Sequence, residues 1–148
     1  MKGVVVVLVA RRQELLEEVA REIKEKGGKA LIKVVDVTDM EQVQSMGRWV
    51  REKVGLPTIL VNNAGTGITA EFATQKPGDW HPTVDVIING GLSCINEFLA
   101  DMKVAKKGHI VNITSLNEKP GICMPGAAVY TGAKQFWAGK TNISTSQF

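Results

Sequence analysis

The chain has 148 residues, 44% hydrophobic and 22% charged, which is enough for one domain with a core and excludes disorder, collagen and coiled coil. Eighteen basic and fifteen acidic residues leave a net charge of +3. They are spread along the chain, so no nucleic-acid footprint stands out. The longest apolar run, Val4 to Ala10, is far shorter than the ~20 residues of a membrane span. Cys94 and Cys123 are the only cysteines; two scattered thiols form neither a disulfide scaffold nor a four-ligand zinc site, and they suit a reducing compartment, the cytoplasm.

Met1-Lys2-Gly3 and the apolar run imitate a signal peptide, but the run passes straight into Arg11-Arg12 without a small-residue exit. It is read as a strand, Val4–Val9, whose β-branched residues suit a parallel sheet buried on both faces. A helix follows over 13–26, with Leu15, Leu16, Val19, Ala20 and Ile23 on one stripe, ended by Gly27-Gly28. Leu31–Val35 is a second strand. Thr38 to Glu41 reads as a capping box, hydroxyl first and carboxylate three residues on, opening a helix that turns Val43, Met46 and Val50 inward. Ile59–Val61 is a third strand, and 66–82 is loop with a short helical piece. A long helix is expected over 83–103, although Gly90-Gly91 inside it costs about 1 kcal/mol per glycine unless a close contact requires them. Ile110–Ile113 is the fourth strand, and Ala127–Gly139 a last helix. Asn112-Ile113-Thr114 and Asn142-Ile143-Ser144 match a glycosylation sequon, which means little without a secretion signal.

Four alternating strands and helices predict an α/β fold, a doubly wound parallel sheet with right-handed crossovers. Ligands of such sheets bind beyond the carboxyl ends of the strands. Arg11 and Arg12 follow the first strand. A guanidinium fork suits a phosphate, although the same pair could simply begin a solvated helix. Asp36-Val37 follow the second strand. Asn62-Asn63-Ala64-Gly65 follow the third, and could admit a flat ligand close to backbone or form an ordinary turn. Thr114-Ser115 follow the fourth. Tyr130 and Lys134 then lie four apart, on one face of a helix. An ammonium near a phenol favours the phenolate, bringing a group of unperturbed pKa ≈ 10 towards the range of an acid/base catalyst. A nearby serine hydroxyl could hold a substrate oxygen. Tyr-x-x-x-Lys alone is a common spacing.

In combination, these pieces resemble the short-chain dehydrogenase/reductase family. The matching segments are 8–12, Asp36-Val37, 61–65, 108–115 and 129–134, in the family's order and close to its spacing. The resemblance implies a Rossmann-like fold and an NADP-dependent oxidoreductase, with NAD less favoured, that interconverts a secondary alcohol and its carbonyl. By that resemblance Tyr130 is the general acid/base, Lys134 lowers its pKa and holds the nicotinamide ribose, and Ser115 positions the substrate oxygen. Asp36 meets the adenine amino group with Val37 beside the ring. Asn62, Ala64 and Gly65 line the adenosine side, and Arg11 and Arg12 select NADP. The hydride belongs to the cofactor. The Ala-Arg-Arg strand end and Leu92-Ser93-Cys94-Ile95 look most like the farnesol dehydrogenase and hydroxysteroid dehydrogenase subgroup. The partners implied are a small alcohol or carbonyl substrate and a second copy of the chain.

Three departures accompany the resemblance. The family's first strand and glycine-rich pyrophosphate turn have no counterpart, and no such glycine triplet occurs in the sequence. The family continues for about a hundred residues beyond its lysine. The expectation is therefore a family domain truncated at both ends, residues 1–140, with an irregular tail over 141–148. Position 87, where the family carries a relay asparagine, is Ile87; Asn89 would point elsewhere unless the helix were locally distorted. The missing strand would leave two apolar strands with open edges at the sheet centre, either pairing directly or leaving the chain unstable. Two other readings stay open: an inactive form that associates with a full-length partner, and a mononucleotide-binding module of flavodoxin type.

Overall fold

The computed structural model describes residues 3–67, 70–115 and 125–138. The expected tail over 141–148 lies outside the described residues, as does Cys123. Strand β1 (Val5–Ala10) leads into helix α1 (Gln13–Glu25), strand β2 (Lys29–Val34) and helix α2 (Met40–Lys53). Strand β3 (Ile59–Asn62) is followed by a short 3-10 turn (Phe72–Thr74) and helix α3 (Pro77–Val84). A π turn (Asp85–Asn89) joins α3 to helix α4 (Gly90–Val104), and strand β4 (His109–Asn112) precedes helix α5 (Ala128–Ala138).

All strand pairing among the described residues is parallel. β1 pairs with β2 from Val5 opposite Lys29 to Ala10 opposite Val34. β3 pairs with β4 from Ile59 opposite His109 to Asn62 opposite Asn112. Among the described residues the two pairs form separate two-stranded sheets, and β1 and β3 do not bond to each other. Direct pairing of these central strands, one of the two expected outcomes, does not occur.

Two buried clusters hold the layers together. Val35, Val43, Met46, Val50, Cys94 and Phe98 form the first, with Val7, Val9 and Leu60 packed on it. Alternate residues of β1 therefore face α2 and α4, which leaves the other face to α1. Ile87, Ile95, Met102, Ile110, Ala133 and Trp137 form the second, with Leu60 and Tyr130 against it. The expected α1 stripe is only partly used: Leu16 and Ala20 are buried, whereas Leu15 and Val19 are exposed. On β3 and β4, Ile59, Val61 and Val111 also remain exposed, as does Ile113 just beyond β4. No described element covers that face.

The cap of α2 differs from the sequence expectation. Asp39 caps the helix, its carboxylate accepting from the Glu41 and Gln42 N–H groups at 2.9 and 3.1 Å. Thr38 is diverted, donating its backbone N–H and its hydroxyl to Asp36. A carboxylate one residue nearer the helix satisfies the same orphan donors and frees the hydroxyl. Arg51 then ties α2 to α4. Its Nε donates to Asp101, its Nη1 to Glu97 and its Nη2 to the Glu97 carbonyl, each at 2.8 Å. No helix among the described residues is long and apolar enough to cross a membrane.

Candidate active site

The carboxyl ends of the strands carry most of the chemistry expected of them. At the end of β1, Arg11 Nη1 lies 3.6 Å from Asp36 Oδ2 beyond β2. Asp36 Oδ1 accepts from Thr38, and its own N–H donates to Gln42. The Thr38 N–H and hydroxyl, helped by Arg11, hold the Asp36 carboxyl below the usual carboxylate range. Arg12 stands exposed at the N-cap of α1. Val37 is half-buried and fits a notch in the long helix: a Cβ at Gly90 would lie 2.6 Å from Val37 Cγ2. The glycine doublet is thus required by close contacts, which offsets its cost in helix propensity.

At the ends of β3 and β4, the Asn62 amide donates to the Asn112 side-chain oxygen at 2.9 Å. That bond ties the two strand ends together. Asn63, Ala64 and Gly65 follow, all three exposed. Lys134 is 5% exposed and donates from Nζ to the Ile113 carbonyl at 2.8 Å. A Cβ at Gly65 would lie 3.6 Å from the same Nζ. Burial holds the Lys134 ammonium below the ordinary lysine range. Tyr130 packs over the same loop, where a Cβ at Gly67 would come within 2.8 Å of its ring. Ser115 is half-buried two residues beyond Ile113. The structure thus brings Tyr130 and Lys134 together with the loop after β3 and, through Ile113, with the end of β4.

The long helix departs from expectation in an informative way. A local distortion is present, the π turn over Asp85–Asn89. It does not aim Asn89 at the lysine. Asn89 is exposed and its amide donates to Asp85 Oδ1 at 2.9 Å. Ile87 is buried in the second cluster. Its carbonyl accepts from Trp137 Nε1 at 2.8 Å. The sequence reading missed Gly67, Asn112 and Trp137. Trp137 had one signal, its place at i+7 from Tyr130 on the same helical stripe. Cys94 is buried, and desolvation pushes its thiol up to about 11, which makes it an inert part of the core.

The family model described as short chain dehydrogenase matches residues 1–145. The chain belongs to the short-chain dehydrogenase/reductase family. This short-chain dehydrogenase is 37% identical over 117 residues to an uncharacterized oxidoreductase of Staphylococcus saprophyticus, covering 78% of the chain and 50% of that relative. A solved metagenomic short-chain oxidoreductase in complex with NADP is similar at 34% identity and a TM-score of 0.85, over 93% of this chain and 62% of that one. A gluconate 5-dehydrogenase from Burkholderia cenocepacia, solved with NADP and tartrate, is similar at 29% identity and a TM-score of 0.77, over 87% and 50%. The chain spans about half the length of the curated relatives it matches.

Proposed function

We propose that this short-chain dehydrogenase domain, residues 1–140, serves the NADP-dependent interconversion of a secondary alcohol and its carbonyl. The observation that carries this reading is the packing of Tyr130 and Lys134, one helical turn apart, against the glycines of the loop after β3. NADP(H), when bound, supplies or accepts the hydride. The Tyr130 hydroxyl passes a proton to or from the substrate oxygen, which Ser115 positions from the end of β4. Lys134 spends one of its three donors on Ile113 and has others for a ribose. Arg11 and Arg12 receive the 2′-phosphate, Asp36 accepts from the adenine amino group, and Val37 lies along the ring. Asn62, Ala64 and Gly65 line the adenosine side with backbone.

The residues fit such a ligand at its two nucleoside ends. At one, an exposed guanidinium and a half-buried carboxylate meet at adjacent strand ends. At the other, a buried ammonium stands behind a glycine. Solved relatives bound to NADP support the cofactor choice, although an NAD+-bound xylitol dehydrogenase is also similar, at 27% identity and a TM-score of 0.83. The test is Tyr130→Phe, which removes the hydroxyl with little change of shape. Carbonyl reduction by the purified protein should be lost while its fold and NADPH binding persist. Reduction that survives the change removes Tyr130 from the acid/base role.

A second reading is favoured by the separation of the two sheets: the polypeptide associates through β1 and β3 with a longer chain of the family and turns over no substrate itself. Saturable NADPH binding by the polypeptide alone argues for the first reading. Binding only in the presence of a longer relative argues for the second.

A further inference from the structure

We propose that Trp137 is a positioning residue for the Tyr130–Lys134 pair, pegging α5 to the π turn through the Ile87 carbonyl. The inference rests on the roles proposed above for Tyr130 and Lys134. Tyr130, Ala133, Lys134 and Trp137 follow one another at helical spacing and form a single stripe. The stripe faces the second core cluster, to which Ala133 and Trp137 belong and on which Tyr130 packs. Apolar packing alone lets a short helix slide or rotate by fractions of a turn, because the hydrophobic effect is not directional. A buried hydrogen bond fixes both. Two such bonds leave this face: Lys134 Nζ to the Ile113 carbonyl, at the site itself, and Trp137 Nε1 to the Ile87 carbonyl one turn further on, 2.8 Å long and spanning fifty residues of sequence.

The surroundings of that bond are built for it. Trp137 is 5% exposed and Ile87 is 2% exposed, so the indole donor and its acceptor have no bulk water to fall back on. An unmet indole N–H there would be costly. Gly91 lies one turn after Ile87, on the path of the indole. A Cβ at Gly91 would fall 2.6 Å from Trp137 Cζ2. Only a residue without a side chain admits the ring to that carbonyl. The acceptor belongs to the π turn, where the helix widens and the usual backbone ladder is interrupted. Ile87 stands at the position where the family resemblance expects a polar relay side chain. Here the polar contact at this position is made by its backbone, and the side chain joins the core. With α5 pegged at Trp137, the other end of the stripe is set: the Tyr130 ring against Gly67 and the Lys134 Nζ on the Ile113 carbonyl.

Tyr130 is the only tyrosine in the sequence, so a ring-labelled tyrosine gives one NMR signal that reports this residue alone. It sits two turns, about 10 Å along the axis, from Trp137, beyond direct contact. Trp137→Phe keeps a ring in the cluster and removes the donor. We expect the Tyr130 ring signal to move or split in the folded variant. Backbone exchange in α5 should accelerate about three- to tenfold, the share of one net hydrogen bond, while β1 and β2 are unchanged. Trp49→Phe, in the first cluster, makes the same chemical change and should leave the Tyr130 signal in place. Gly91→Ala keeps the indole but pushes it off the carbonyl, and should move the signal as Trp137→Phe does. An unmoved Tyr130 signal in either folded variant overturns the proposal. The wild-type protein provides a reading that needs no variant: the Trp137 indole proton should exchange as slowly as the α5 amides. Exchange as fast as that of the Trp80 indole proton overturns it equally. None of these measurements needs a cofactor. A shifted Tyr130 signal with no NADPH binding or turnover would therefore sustain the peg and refute the proposed function.

Discussion

Replacing Ile59 and Val61 with lysine should make the 148-residue polypeptide less prone to self-association without unfolding it. Ile59 and Val61 are 57% and 53% exposed, and Val111 and Ile113 beside them 43% and 41%. Complete burial of such a side chain is worth about 1.5–3 kcal/mol. Roughly half of each remains uncovered, so this face holds about 4 kcal/mol of unused transfer energy. Strand pairing along an open edge adds about 0.5–1.5 kcal/mol per hydrogen bond, or about 4 kcal/mol for a short strand. Against these stands an association cost of about 4–15 kcal/mol. At the low end of that cost one contact is of about millimolar strength. Open edges on both β1 and β3 let each copy make two, so growth need not stop at a dimer. The two lysines remove about half of the apolar gain and add like charges, which weakens each contact about thirtyfold, at about 1.4 kcal/mol per tenfold. Sedimentation velocity from about 10 µM to 1 mM should show the wild type gaining mass with concentration and the double variant staying smaller. Fusing a strand and glycine-rich turn ahead of Met1 should suppress association in the same assay and give saturable NADPH binding. A wild-type polypeptide that stays monodisperse and melts cooperatively across that range would refute the reasoning.

Three further outcomes follow from the site and its supports. Arg11→Asp should weaken NADPH binding relative to NADH by about 1.5–3 kcal/mol, the worth of a charged phosphate contact; unchanged selectivity in both Arg11 and Arg12 variants, by calorimetric titration, would remove them from the phosphate site. Burial holds the Lys134 ammonium below the ordinary lysine range, so the unfolded chain binds that proton more tightly. Raising pH from the lowered value towards the ordinary lysine range should stabilise the wild type relative to Lys134→Met, as paired thermal melts would record; parallel pH curves would mean a solvated ammonium. Arg51→Met strands the Glu97 and Asp101 carboxylates, only 15% and 13% exposed as side chains. Loss of a buried pair costs about 3–5 kcal/mol, and because Arg51 is itself one-third exposed, about 2–3 kcal/mol is expected. A lowered urea midpoint at constant slope would confirm that figure, and an unchanged midpoint would show the fork to be ornamental. The Ile59→Lys, Val61→Lys background is the one in which these measurements are most easily made.

What the sequence could reveal depended on the range of the interaction. β1, β3 and β4 fall within one residue of the runs of Val, Ile and Leu that signalled them, because strand formation there is decided by local apolar content. β2 begins earlier, at Lys29, because pairing with Val5 fixes its start. The cap moved from Thr38 to Asp39 because two suitable acceptors stood side by side, and only the folded loop shows that Thr38 is needed by Asp36. Arg11, Asp36, Tyr130 and Lys134 could be found because strand ends and helical spacing locate them without tertiary knowledge. Gly91 and Trp137 could not be linked in advance. Their contact joins segments almost fifty residues apart: the glycine doublet announced that something packs closely on the helix, and nothing local said what.

Among the described residues, Leu60 is a strand side chain packed against both buried clusters. Two cores joined by that side chain and by α4, which sends Cys94 and Phe98 into the first and Ile95 and Met102 into the second, have a natural line of weakness along the helix, and the halves form separate cooperative units when the line yields. Calorimetry would then give a van't Hoff enthalpy smaller than the measured heat, the mark of melting in more than one step. A nucleotide with its adenosine over β1 and β2 and its nicotinamide over β3 and β4 would lie across that line. Its binding would fuse two transitions into one and raise the weaker of them the more. The bound and free proteins would then differ in how many pieces they melt as, before they differ in any atomic position.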